Sequence, residues 1–184
     1  MTVIFEKPGP ENTEQVLKTA CERAKELGIN EVVVASTKGV TAYKALDIFN
    51  GFNITVVTYH CGFKEPFKSV MPEKVKTDLK KKGATVVSAT HALSGVERSL
   101  AKRFSGIYPV LIIADTLRLF GQGTKVAIEV SIMASDSGAL SGSDIISIGG
   151  TGRGADTALV LKPANQSDLF EMRIREIICK PRDF

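Results

Sequence analysis

Ser36-Thr37-Lys38-Gly39-Val40-Thr41 brings three hydroxyls, a cation and a glycine together in six residues. They stand where a β-branched run, Glu31 to Ser36, gives way to a helix that starts near Ala42. The first N–H groups of a helix lack internal partners and carry partial positive charge. Gly39 tolerates backbone shapes that other residues resist and lets a ligand come close. This is equipment for an anion, above all a phosphate. Each charge-assisted hydrogen bond contributes about 1.5–3 kcal/mol net, so three or four suit roughly micromolar binding after association costs. The plainer alternative is an ordinary Ser or Thr N-cap.

A second segment with the same chemistry is Gly149-Gly150-Thr151-Gly152-Arg153-Gly154, followed by Asp156. It is no dinucleotide fingerprint, because a strand follows it rather than a helix. Backbone amides and the Arg153 guanidinium could clamp an anion bidentately; the alternative is a flexible hairpin turn. His60 and His91 each follow a strand directly, with Thr58 just ahead of His60. An unperturbed histidine titrates near neutrality and serves as acid, base or donor, so both are candidate catalytic groups. Either could equally cap a loop. Cys61 beside His60 would be a nucleophile only with an orienting partner, and none can be placed. Glu129 reads as a buried partner for a cation or a boundary residue, and Asp115 and Arg118 as an i,i+3 pair.

The elements that must position these residues follow from periodicity. A helix starting at Asn12 or Thr13 carries Val16, Leu17, Ala20, Cys21, Ala24 and Leu27 at helical spacing and stops at Gly28. A strand (31–36), a helix through Ala42, Ala45, Leu46 and Phe49, and a strand (54–59) form a β-α-β unit. A loop runs to Pro72, then a polar helix (73–82) and a strand (84–88). The stretch 96–119 reads as helical but jointed at Gly106 and Pro109, and a further helix covers 124–134. Strands 144–148 and 157–161 are joined too closely for a parallel return, so the second should be antiparallel. The tail from Met172 to Cys179 begins with the alternation of an edge strand. This order predicts an α/β fold: one domain over 1–184, with helices on both faces of a mostly parallel sheet. Ligands of such sheets bind outside the carboxyl ends of the strands. Segments 36–42, 58–62, 88–93 and 149–156 meet there.

Composition narrows the partners. Of 184 residues, 43% are hydrophobic and 24% charged, with a net charge of +4, ordinary for a globular domain. The lysines and arginines are scattered, so nucleic acid is not the expected partner. The Lys80-Lys81-Lys82 run reads as a solvated helix face. Cys21, Cys61 and Cys179 are odd in number and widely spaced, which argues against a metal site or disulfides and for reduced thiols in a cytoplasmic protein. Neither a leader pattern nor an apolar run long enough for a membrane is expected.

The segment VVVASTKGVTAYKA, Val32 to Ala45, resembles the effector-binding turn of the pyruvate kinase C-terminal domain. GGTGRGADTALVL, Gly149 to Leu161, resembles that domain's closing Gly-rich loop and last hairpin. Over nearly its whole length the chain is similar to a small family of stand-alone proteins built like this domain and known mainly from archaea. The resemblance implies a three-layer α/β/α sandwich of about five strands, order 3-2-1-4-5, with the fifth antiparallel. It implies a phosphate turn at Ser36, Thr37, Lys38, Gly39 and Thr41, with Gly152, Arg153 and Gly154 across the cleft. The loop 63–72 and the paired helices of 96–134 have no counterpart in the kinase domain and would reshape the cleft, for a nucleotide for instance. Pyruvate kinase activity is not expected, because the catalytic barrel needs about 250 residues.

The expected function is binding of a phosphate-bearing small molecule, a mononucleotide such as flavin mononucleotide or a sugar phosphate. The expected ligand contacts are Ser36, Thr37, Lys38, Gly39, Thr41, Ala42, Thr58 and His60 on one side. On the other they are Gly149, Gly150, Gly152, Arg153, Gly154 and Asp156. The alternatives are an enzyme acting on a phosphorylated metabolite through His60 or His91, and a module for homo-oligomer assembly.

Overall fold

The computed structural model describes residues 2–184. Its elements are β1 (Val3–Phe5), α1 (Thr13–Leu27), β2 (Glu31–Ala35), α2 (Val40–Ile48), β3 (Asn53–Thr58), α3 (Glu73–Lys81) and β4 (Thr85–Ser88). Then come α4 (Gly95–Phe104), α5 (Pro109–Arg118), α6 (Gln122–Asp136), β5 (Ile145–Gly149), β6 (Thr157–Lys162) and β7 (Arg173–Pro181). One sheet holds all seven strands in the order β1-β7-β6-β5-β2-β3-β4. Only β6 runs against the others.

The alternation along β2 shows why the chain layers itself. Val32 and Val34 enter one core with Val16, Leu17 and Ala20 of α1 and Ala42 and Ala45 of α2. Val33 enters the other, with Ala127, Ile128 and Ile132 of α6. A strand covered on both faces needs apolar side chains at odd and even positions alike. β5 departs from this rule once. Ser147 is fully buried and donates its hydroxyl to the Ala127 carbonyl at 2.7 Å, which satisfies it inside the core.

The expected five-strand order is present as β4-β3-β2-β5-β6, and two further strands extend it. β7 pairs antiparallel with β6 through register irregularities near Leu159 and Leu161, and β1 pairs parallel with Cys179–Pro181. The expected edge strand is therefore covered by the chain's own start. Only three residues pair there, too few for periodicity to reveal.

The start of α1 also differs. Neither Asn12 nor Thr13 caps it with a side chain. A 3-10 turn over Pro10–Asn12 leads straight into the helix, with the Thr13 N–H donating to the Pro10 carbonyl. That frees the Thr13 hydroxyl, which accepts the Ala155 N–H at 3.0 Å and ties α1 to the loop after β5. Among the described residues, no helix is long and apolar enough to cross a membrane.

Candidate functional site

At the carboxyl ends of β2, β3 and β5 the sheet opens into a cleft of about 600 Å³. One wall is the turn after β2. Ser36 continues the ladder, its N–H donating to the Val57 carbonyl at 2.9 Å. The chain then turns through Gly39, whose φ of 102° lies in the left-handed region. A Cβ there would sit 2.5 Å from Val75 Cγ1 of α3, so glycine is required for shape and for space. The Ser36 hydroxyl accepts the Ala42 N–H at 3.3 Å, and the Thr58 hydroxyl donates to the Thr37 carbonyl at 3.2 Å. The Lys38, Gly39, Val40 and Thr41 N–H groups find no acceptor among the described residues. They form a row of open donors at the positive end of α2.

The opposite wall is the loop between β5 and β6, from Gly150 to Gly154. Asp156 braces it from below. Its fully buried carboxylate accepts from the Thr151 hydroxyl at 3.0 Å and the Thr157 hydroxyl at 2.8 Å. Burial pushes this carboxyl above its usual range, and the two hydroxyls oppose that. Behind the loop, the end of β5 meets α6 backbone to backbone. A Cβ on Gly149 would lie 2.2 Å from the Gly123 carbonyl oxygen.

The third wall is α6, with Gln122, Val126, Glu129, Val130 and Met133 facing the cleft. Glu129 is the one carboxylate on the lining. It is already engaged: it pairs with Lys125 and accepts the Leu93 N–H at 3.0 Å. The same Leu93 contact pins the 90–94 loop to α6. By contrast, Lys38, Lys64 and Arg153 all line the cleft and make no ion pair among the described residues. The electrostatic balance favours an anion.

Ser36, Thr37, Lys38, Thr41, Thr58, His91, Gly150, Gly152, Arg153 and Gly154 all come together on this lining. Five expected contacts stand elsewhere. Gly39 turns toward α3, although its N–H belongs to the open row. Ala42 is buried and its N–H is taken by Ser36. Gly149 is pressed against α6, and Asp156 supports the loop from beneath. His60 lies outside the cleft, its Nδ1–H donating to the Cys61 carbonyl at 2.7 Å. Packing or an internal partner already engages each of these residues, save the Gly39 N–H. Tyr59 and Thr151, which lie inside the expected segments, also line the cleft, whereas Lys64 and the apolar face of α6 are additions to the expected contacts. The signal for that face was present, since Val126, Val130 and Met133 recur at helical spacing; such a stripe reads first as core.

His91 is flanked by Tyr59 and Phe63, with ring centroids at 5.5 and 4.8 Å. Burial, helped by the nearby His60, Lys125 and Arg98 charges and opposed by Glu129, holds its pKa down to about 4. Among the described residues no cluster of three or more His, Cys, Asp or Glu could hold a metal ion.

These features define an α/β sandwich with a cleft at its strand ends that is lined by cationic side chains and open N–H donors. The family model for the pyruvate kinase alpha/beta domain matches residues 14–161, well over half of the chain. The chain belongs to that family. Among solved structures it is similar to a pyruvate kinase from Cryptosporidium parvum, at 15% identity and a TM-score of 0.41, covering 80% of this chain and 22% of that one. A structure of Cryptosporidium parvum pyruvate kinase in complex with ADP matches at 16% identity and the same TM-score of 0.41, covering 88% of this chain and 23% of that one. The chain thus spans less than a quarter of the length of these kinases.

Proposed function

We propose that this domain binds a phosphate-bearing small molecule in the cleft and performs no pyruvate kinase reaction by itself. The observation that carries this reading is the row of open N–H donors from Lys38 to Thr41, facing a cleft whose other charged walls bear Arg153 and Lys64. The phosphate sits against the turn, and Arg153 closes on it from the Gly-rich loop. The rest of the ligand lies along Tyr59, Val126, Val130 and Met133, an apolar surface suited to a planar ring. That favours a mononucleotide, flavin mononucleotide included, over a sugar phosphate. The protein is a cytoplasmic domain of the archaeal type, with its three cysteines as free thiols.

Catalysis through a histidine has less support. His60 is outside the cleft, and a group titrating at about 4 is poorly matched to proton transfer near neutrality. Calorimetry against mononucleotides and sugar phosphates tests the reading. Saturable binding to wild type that weakens in Lys38→Ala and Arg153→Ala supports it, and no heat at millimolar ligand refutes it. A yellow protein on purification identifies flavin directly.

A further inference from the structure

Beside the cleft lies a smaller hollow of about 240 Å³, walled by His60, Phe63, Thr90, Ser94 and Arg98. His91 lines both spaces and divides them. Its lining is basic and lacks any carboxylate. Arg98 makes no ion pair among the described residues. Its guanidinium lies over the Phe63 ring, 5.4 Å from the centroid, and donates to the Ser94 hydroxyl at 3.1 Å. Phe63 is in turn stacked on Tyr59 at 4.1 Å, so the platform under the cation is firm.

Two histidines complete the wall, their rings edge to face at 5.3 Å. His60 spends its Nδ1–H on the Cys61 carbonyl, which leaves Nε2 as the free nitrogen. Nδ1 of His91 is buried and finds no partner among the described residues. A buried polar atom without a partner is uncommon in a folded protein and calls for a reason.

We propose that this hollow is a separate binding site for a small oxyanion, such as phosphate, sulfate or a carboxylate. Arg98 presents its planar fork, and the Thr90 and Ser94 hydroxyls donate to the remaining oxygens. The anion supplies the negative charge that the wall lacks. Its charge favours the protonated form of the His91 ring. The proposal stands apart from the cleft reading, because neither the turn at Ser36 nor the Gly-rich loop lines the hollow.

The groups acting on His91 are Glu129 and Lys125 from α6, His60 from the loop after β3, and Arg98 from α4. An oxyanion opposes the three cations and raises the His91 midpoint from its low position. Imidazole NMR titrations of the whole chain, with and without inorganic phosphate at constant ionic strength, read this out. Wild type and the Lys38→Ala/Arg153→Ala double variant should both show the His91 midpoint rising by about one pH unit, a tenfold tighter hold on the proton. Arg98→Gln should abolish the rise; Arg98 is exposed, so the fold survives its loss. An unchanged midpoint in wild type, or a rise that persists in Arg98→Gln, overturns the proposal. Loss of the rise in the double variant alone assigns the effect to the cleft and overturns it too.

Discussion

The hydroxyl of Ser36 accepts the N–H of Ala42 at 3.3 Å, across the turn that begins α2. This bond closes the third donor of the helix and leaves the earlier ones open. Ser36 is thus a structural cap, and the proposed ligand contacts fall to its neighbours. Ser36→Ala should cost about 1 kcal/mol of stability, the usual value for a lost cap. Urea denaturation checks it, with calorimetry to confirm that affinity changes little by comparison.

Lys38→Ala should do the reverse. Its ammonium makes no ion pair among the described residues, so its removal leaves the fold intact. The loss of one charge-assisted bond weakens a phosphate ligand by about 1.5–3 kcal/mol, or roughly ten- to a hundredfold. Parallel melting curves and titrations of the variant and wild type separate the two effects.

Gly149 has no room for a methyl group, because its Cβ would fall against the Gly123 carbonyl. Gly149→Ala should destabilise the domain by about 1–3 kcal/mol through overpacking and loosen the Gly-rich loop. Denaturation midpoints check the first effect, and amide exchange across 150–156 the second.

The buried pair of Lys125 and Glu129 has little solvent to fall back on. Lys125→Met leaves an uncompensated carboxylate and should cost about 3–5 kcal/mol. Lys125→Met with Glu129→Gln should recover part of that loss. A double-mutant cycle in urea measures the coupling.

His91 makes stability depend on pH. Its folded pKa of about 4 lies below the ordinary 6.5. Between these values the unfolded chain binds the extra proton, so stability rises with pH across the window. The contribution is complete above about pH 6.5 and is lost as pH falls toward about 4. His91→Gln should flatten this part of the profile, as denaturation at a series of pH values will show.

Much of the architecture was legible from repetition. The β-branched runs at Val32–Val34 and Thr55–Val57 and the short 149–157 connection carried sheet order and the reversed strand. β1 escaped notice because three residues carry no period. Within the site, the two loops announced themselves by composition. The cleft wall on α6 did not, because a stripe that lines a cavity and one that fills a core look alike in one dimension. Gly149 and Asp156 differ in the opposite sense. Their residue types suit a ligand, and only three-dimensional packing shows that Gly123, Thr151 and Thr157 already occupy them.

The most direct measurement follows the backbone amides of Lys38, Gly39, Val40 and Thr41 by NMR as phosphate ligand is added. The account predicts that these four resonances move together and saturate, alongside Arg153, while the amide of Ala42 stays near its place. Amides that remain still throughout, at ligand levels that saturate binding elsewhere, would contradict it.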